Sequence, residues 1–370
     1  MLKTAWTIGH VFGIPIRLHI TLLLILPLFG WIFGNNIELF AEMLQIDPEQ
    51  LVFGSYFIGF LLGIGLFASV ALHELGHTWM ALRRGMTIRS ITLLILGGIA
   101  EIEDMSKEPT DELVIAIMGP LVSIILGVSF YALGAYLPNM VADLRIFLLY
   151  LGQINIVLAV FNLLPAFPSD GGRVLRAVLA RRGNYLAATK TATSLGQSMA
   201  ILFAILGVFS GNILLLVVAF FLYIAANHEY QTNLLSSTLS GFTVSDLMTR
   251  DVVTVPAHHT LSQLLAFMYD EKHTGYPVVN GDDVVGCVTM QDVRKVDVGQ
   301  RDDYKVQDIM ATDLHTIKPK ADAFDALTKM SKEQIGRLFV FDQDELIGII
   351  TRSDIMKGFQ LRQIERREKA

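Results

Sequence analysis

Apolar residues over the first 230 positions come in runs too continuous to form a single amphipathic face. The runs, separated by polar breaks, fall at residues 16–34, 51–82, 113–137, 144–168, 195–209 and 212–230. Most approach or exceed the roughly 20 residues that a helix needs to cross a bilayer. Six spans are predicted, the last two joined in a tight hairpin by Ser210-Gly211-Asn212. No small-residue cleavage site follows a basic start, so the first run reads as a retained helix and not as a removed signal peptide. Between the second and third runs, residues 86–104 contain Ile91-Thr92-Leu93-Leu94-Ile95-Leu96 followed by Gly97-Gly98. This stretch is too short to span and partly β-branched, and it predicts a short re-entrant sheet.

The pattern changes after the small polar stretch Ser236-Ser237-Thr238-Leu239-Ser240-Gly241, which reads as a linker. Beyond it the chain repeats at a period of 62: Val244-Ser245-Asp246-Leu247-Met248 returns as Val306-Gln307-Asp308-Ile309-Met310. Likewise Gly286-Cys287-Val288-Thr289-Met290-Gln291-Asp292-Val293 returns as Gly348-Ile349-Ile350-Thr351-Arg352-Ser353-Asp354-Ile355. Each copy predicts a short helix, a strand near Val252–Val255 or Leu314–Ile317, an amphipathic helix, and two strands around 275–279 and 284–288 or their counterparts. The fold class is thus a polytopic α-helical membrane protein with a short re-entrant β element, followed by an α/β repeat.

Charge sharpens this division: the first 240 residues hold 26 charged side chains and the remaining 130 hold 38. The chain therefore meets two solvents, lipid first and water second. The net charge of −6 leaves no large basic surface, and nucleic acid is not an expected partner. Lys3, Arg17, Arg83, Arg84, Arg89, Lys107, Arg173, Arg176, Arg181, Arg182 and Lys190 flank one side of the spans, and only Arg145 flanks the other. That asymmetry puts both termini and the repeat in the cytosol of a multi-pass cell-membrane protein, with the acidic loop Asn35–Gln50 outside. Cys287 is the single cysteine, so neither an intrachain disulfide nor a thiolate cluster can form within one chain. Any metal must be held by histidine and carboxylate.

Ionisable residues inside apolar runs are the candidate chemistry, because lipid disfavours them strongly. His73-Glu74-Leu75-Gly76-His77 is H-E-x-x-H on a helix. Two imidazoles four residues apart share a face and converge on one ion, with Glu74 offset toward an open coordination position. Zinc suits that geometry. A tetrahedral catalytic site needs a third protein ligand, and Asp170 in Asn162-Leu163-Leu164-Pro165-Ala166-Phe167-Pro168-Ser169-Asp170-Gly171-Gly172 supplies one. The prolines and the glycine pair break that span, which implies a cavity. Taken alone, Asp170 reads more readily as the cap of a helix resuming at Arg173, and it is the company of H-E-x-x-H that reverses this. His19, His228 and Glu229 lie at span ends and are left out of the site.

Together, His73-Glu74-x-x-His77, Gly119-Pro120-Leu121-Val122-Ser123 and Asn162-x-x-Pro165-x-x-Pro168-x-Asp170-Gly171-Gly172 closely resemble the site-2 proteases, intramembrane zinc metalloproteases. The resemblance covers about residues 1–230. It implies zinc on His73, His77 and Asp170, Glu74 as general base, and Asn162 positioning substrate or oxyanion. Two roles stay open to Asn162: that one, or a hydrogen bond to carbonyls that Pro165 leaves without donors. Gly119-Pro120 is given a structural role in helix approach. A transmembrane substrate must unwind to expose its carbonyls, and the free edge of the predicted sheet offers strand addition; a packed loop without substrate contact is the alternative.

The repeat resembles a tandem CBS-domain pair over about residues 243–358. Such pairs commonly bind adenosine nucleotides, AMP or ATP, and the resemblance places the ribose contact on Thr289 with Asp292 and on Thr351 with Asp354. The same Thr-x-x-Asp spacing also reads as a capping box. The expected organisation is a metalloprotease domain at 1–235, a linker at 236–242, CBS domains at 243–300 and 301–358, and a charged tail at 359–370. The expected function is an intramembrane zinc endopeptidase that cuts a single-pass transmembrane protein in the lipid bilayer, regulated by the nucleotide-sensing pair. A CBS-gated channel or transporter is the alternative from another class. A homodimer through the CBS domains is a further partnership the sequence leaves open.

Overall fold

A computed structural model of the chain describes residues 5–47, 51–94, 97–102, 108–137, 142–281, 283–343 and 345–368. It divides into two compact units, residues 1–231 and 232–370.

In the first unit, strands β1 (Ala5–Val11) and β2 (Ile14–His19) form a hairpin, followed by helices α1 (Ile20–Met43) and α2 (Ser55–Arg83). Strands β3 (Ile88–Leu94) and β4 (Gly97–Ile102) come next, and then helices α3 (Pro109–Tyr136), α4 (Ala142–Asn162), α5 (Asp170–Ala180), α6 (Tyr185–Ser210) and α7 (Ile213–Leu239), the last continuing past residue 231 into the second unit. Among the described residues six helices are long and apolar enough to cross a membrane: α1, α2, α3, α4, α6 and α7.

The observed spans differ from the predicted runs where packing overrides the local pattern. The first begins at Ile20, because residues 16–19 belong to β2 and His19 caps α1 by accepting from the Thr21 amide at 3.3 Å. It runs on through residues assigned to an outer loop, to Met43, because Ile37 and Ala41 are buried against Ile58 and Leu62 of α2. The predicted linker is corrected as well: Ser236–Leu239 continue α7, and the chain turns only at Ser240-Gly241, where Gly241 has φ 88°.

The short sheet has four strands in the order β1-β2-β3-β4. β2 runs parallel to β3, with Ile16 opposite Ile91 and Leu18 opposite Leu93, and β4 returns antiparallel to β3 as an edge. Of the predicted re-entrant stretch, Ile95-Leu96 and Glu103-Asp104 lie outside the described residues.

The second unit holds two three-stranded sheets. In order along the chain it contains α8 (Val244–Leu247), β5 (Val255–Pro256), α9 (Leu261–Glu271), β6 (Gly275–Asn280), β7 (Asp283–Thr289), α10 (Met290–Val293), α11 (Val306–Ile309), β8 (Thr316–Ile317), α12 (Ala323–Lys332), β9 (Arg337–Asp342), β10 (Glu345–Thr351) and α13 (Arg352–Glu368). Each sheet pairs its first strand parallel to the second and its second antiparallel to the third. The repeats exchange their first helices. Val244 of α8 is buried in the core of the second sheet with Leu338, Val340 and Ile350, and Val306 of α11 is buried in the core of the first with Val278 and Val288. Paired backbone bonds fix the exchange: Thr249 with Ile349 and Ala311 with Cys287.

Candidate metal centre

The apolar face of α2 is interrupted by His73 and His77, one turn apart and both buried. Their Nε2 atoms lie 3.2 Å from each other, and each lies 3.1 Å from Asp170 Oδ2. The three form a buried group able to hold a metal ion. Ligands about 2.0–2.1 Å from a tetrahedral zinc stand roughly 3.3–3.4 Å apart, close to the distances here.

The donor chemistry fits a cation. The far nitrogen of His77, Nδ1, lies 2.8 Å from the carbonyl oxygen of Ile115. A carbonyl only accepts, so Nδ1 carries a proton, and whenever His77 is neutral its Nε2 lone pair points at the carboxylate. Two acceptors 3.1 Å apart inside a protein repel unless a positive charge lies between them. His73 is held in the same way from behind, its Nδ1 2.9 Å from Ser123 Oγ on α3. Such partners fix ring orientation and tautomer in metal sites.

Asp170 reaches the imidazoles because the chain breaks in front of it. Helix α4 ends at Asn162, and the next residues make tight turns: Leu164 N donates to Phe161 O at 3.3 Å and Ala166 N to Leu164 O at 2.7 Å. Ser169 Oγ donates to the carbonyls of Leu164 and Ala166, both at 2.6 Å. A helix therefore restarts at Asp170, its first residue. Gly171 is required by close approach, since a Cβ there would stand 2.3 Å from the carbonyl oxygens of Leu163 and Leu164.

Asn162 donates its side-chain amide to Leu158 O at 3.0 Å, one turn back on its own helix. The carbonyls of the broken segment are served by Ser169, a residue the sequence pattern did not single out. Glu74 leans on the sheet: a Cβ on Gly98 of β4 would stand 2.2 Å from Glu74 Cγ. Gly119, read only as a packing residue, faces the Nε2 atoms of His73 and His77.

A buried ion cluster lies on the same helix as Asp170. Arg176 of α5 bonds Glu112 of α3, with Nε to Oε1 2.7 Å, and Nη1 lies 3.1 Å from Glu229 Oε1 on α7. Glu229, by sequence only a span-end residue, thus pairs with a buried arginine. In the second unit, Thr289 Oγ donates to Asp292 Oδ2 and Thr351 Oγ to Asp354 Oδ2, both at 2.6 Å. The backbone amides of Thr289 and Thr351 reach the same oxygens at 3.0 Å, so both pairs are closed capping boxes.

Comparison with known proteins bears on both units. Peptidase family M50 matches residues 61–206, and the CBS domain matches 244–299 and 306–360. The zinc metalloprotease MJ0392 of Methanocaldococcus jannaschii is 34% identical over 357 residues, 96% of each chain. A solved site-2 protease from Methanocaldococcus jannaschii is 35% identical, covering 61% of this chain and 95% of that one at a TM-score of 0.43. Inosine-5'-monophosphate dehydrogenase of the same organism is 32% identical over 126 residues, 34% of this chain and 25% of that protein.

Proposed function

Because the chain belongs to peptidase family M50, as a site-2 protease-type zinc metalloprotease in the membrane joined to a pair of CBS domains, we propose that it hydrolyses peptide bonds in or beside the transmembrane segments of single-pass membrane proteins. The observation that carries this reading is the convergence of His73, His77 and Asp170 on one point, the two Nε2 atoms and Oδ2 lying 3.1–3.2 Å from one another.

His73, His77 and Asp170 would hold the zinc. When bound, the ion supplies Lewis-acid polarisation of the scissile carbonyl and lowers the pKa of the attacking water. Glu74 takes a proton from that water at its carboxylate and later gives it to the leaving amine, as a general base and then a general acid. The contact with Gly98 supports this assignment, because it seats Glu74 beside β4, the strand edge on which an unwound substrate segment would be held by strand addition. Asn162 would orient the substrate or its oxyanion only after releasing Leu158 O, which lies upstream of the carbonyls that Pro165 leaves without donors. Ser123 and Ile115 keep the imidazoles aimed.

The positive residues on one side of the spans support a cytosolic CBS pair. There an adenine nucleotide, AMP or ATP, would bind with its ribose at Thr289 and Asp292 or at Thr351 and Asp354, and would set the rate of cleavage. One experiment tests the whole reading: reconstituted protein with a test transmembrane substrate, compared as wild type, Glu74→Gln and chelator-treated samples, with bound zinc measured. Cleavage should vanish in both treatments while Glu74→Gln keeps its zinc. Cleavage that survives chelation with no zinc bound refutes it.

A further inference from the structure

Among the described residues Arg176 is the most deeply buried charged side chain, 2% exposed, and peptide hydrolysis as derived above does not use it. Its guanidinium bonds Glu112 through two nitrogens, reaches Glu229 through a third, and lies over the rings of Phe167 at 4.7 Å and Tyr185 at 4.9 Å. One side chain thus ties together α3, α7, the first residue of α6 and the broken segment that precedes Asp170. Burying a guanidinium is costly and is offset only when geometry and hydrogen bonds are nearly complete. Arginine provides the rigid fork this needs and lysine does not.

The placement of the partners gives the cluster a purpose. Arg176 and Asp170 share the short helix α5, so whatever fixes Arg176 fixes the carboxylate. Glu112 lies on α3 about one turn before Ile115, two before Gly119 and three before Ser123. Those three residues are the ones that α3 presents to His77 and His73. Helix α3 therefore braces both imidazoles along one stretch and, through Glu112, grips the helix that delivers the third ligand.

We propose that Arg176, clamped by Glu112 and Glu229, is the positioning residue that sets Asp170 at its distance from His73 and His77. The inference rests on Asp170 as a ligand, and its role is on the metal site and not on substrate. Glu112 carries most of the clamp, since its side chain is 4% exposed while that of Glu229 is 30% exposed.

The test uses the purified full-length protein stripped of metal. Zinc affinity is measured by competition with a chelator and ligand geometry by the visible absorption of bound cobalt, with thermal unfolding of the metal-free protein alongside. The double variant Arg176→Met with Glu112→Gln removes both main charges and leaves neither unpaired by the other. It should bind zinc roughly 10–100-fold more weakly, as loss of outer partners does in metal sites, and shift the cobalt spectrum. Arg176→Lys should fall between it and wild type, and Glu229→Gln should change affinity less than Glu112→Gln. Unchanged zinc affinity and an unchanged cobalt spectrum in the folded double variant overturn the proposal. Should that variant not fold, Arg176→Lys is read by the same two measurements, and wild-type values there overturn it equally. Asp170→Asn separates the two layers. If it leaves zinc affinity intact, the ligand assignment itself fails, whereas a large loss with no effect at Arg176 removes only the clamp.

Discussion

A Cβ placed on Gly119 would stand 2.1 Å from His77 Nε2 and 2.6 Å from His73 Nε2, so α3 passes the two imidazoles with only a hydrogen between them. Non-bonded carbon contacts settle near 3.5–4.0 Å. Neither ring can retreat freely, because Ile115 O and Ser123 Oγ hold the opposite nitrogens at 2.8 and 2.9 Å. Gly119→Ala should therefore leave little or no zinc on the protein after dialysis, with helical content preserved. Full zinc occupancy in the variant would contradict this geometry.

The role proposed for Glu74 is separable from that of the proposed ligands. Glu74→Gln keeps the shape but loses the proton acceptor, and cleavage should fall by about 10²–10⁴-fold. Zinc content should stay at the wild-type level, because the proposed ligands His73, His77 and Asp170 are untouched. His77→Ala, by contrast, should lose both together. Zinc analysis paired with a cleavage assay on the same preparations checks the distinction.

Much of this site was legible in the sequence because its chemistry violates its surroundings. A His-x-x-x-His pair in an apolar run and an aspartate after two prolines are both anomalies that local pattern exposes. The supports of the site were not legible, because each depends on a partner distant in sequence: Ser123 on His73, 50 residues away, and Arg176 on Glu112, 64 away. Strands β1 and β2 escaped for another reason. Residues 16–19 merge with the following apolar run in one dimension, and it is pairing with β1 on one side and with β3, Ile16 opposite Ile91, on the other that makes them a strand. The exchange of α8 and α11 between repeats is likewise invisible to a period of 62, which is the same whether each first helix packs on its own copy or the other.

The close approach of Gly98 to Glu74 makes the sheet part of the environment of the proposed base. A Cβ on Gly98 would meet Glu74 Cγ at 2.2 Å, so Gly98→Val must move either the strand or the carboxylate. Displacement of a reacting group by about 1 Å can cost on the order of 10²-fold in rate. The variant should therefore lose most of its cleavage rate while zinc stays bound, which separates it from Gly119→Ala. A variant with wild-type cleavage would show that Glu74 works from a position the sheet does not control.

The capping box at Thr289 predicts a pH dependence for the CBS unit. Asp292 is held below the usual carboxylate range: burial raises it, and hydrogen bonds from Lys295 and from the hydroxyl and amide of Thr289 more than offset that. A carboxyl group whose folded pKa lies below its unfolded value of about 3.9 contributes stability that is complete above that value. The contribution is lost as pH falls through the folded pKa. Removing the box with Asp292→Ala should cost about 1 kcal/mol near neutral pH, in the range of other helix caps. The gap between wild type and variant should then close on acidification, because a protonated Asp292 no longer offers the charged acceptor that the Thr289 amide uses. Hydrogen exchange of the segment spanning β7 and α10 in the full-length protein reads both effects. A gap as wide at pH 3 as at pH 7 would mean that the bond to Thr289 draws nothing from the ionised carboxylate.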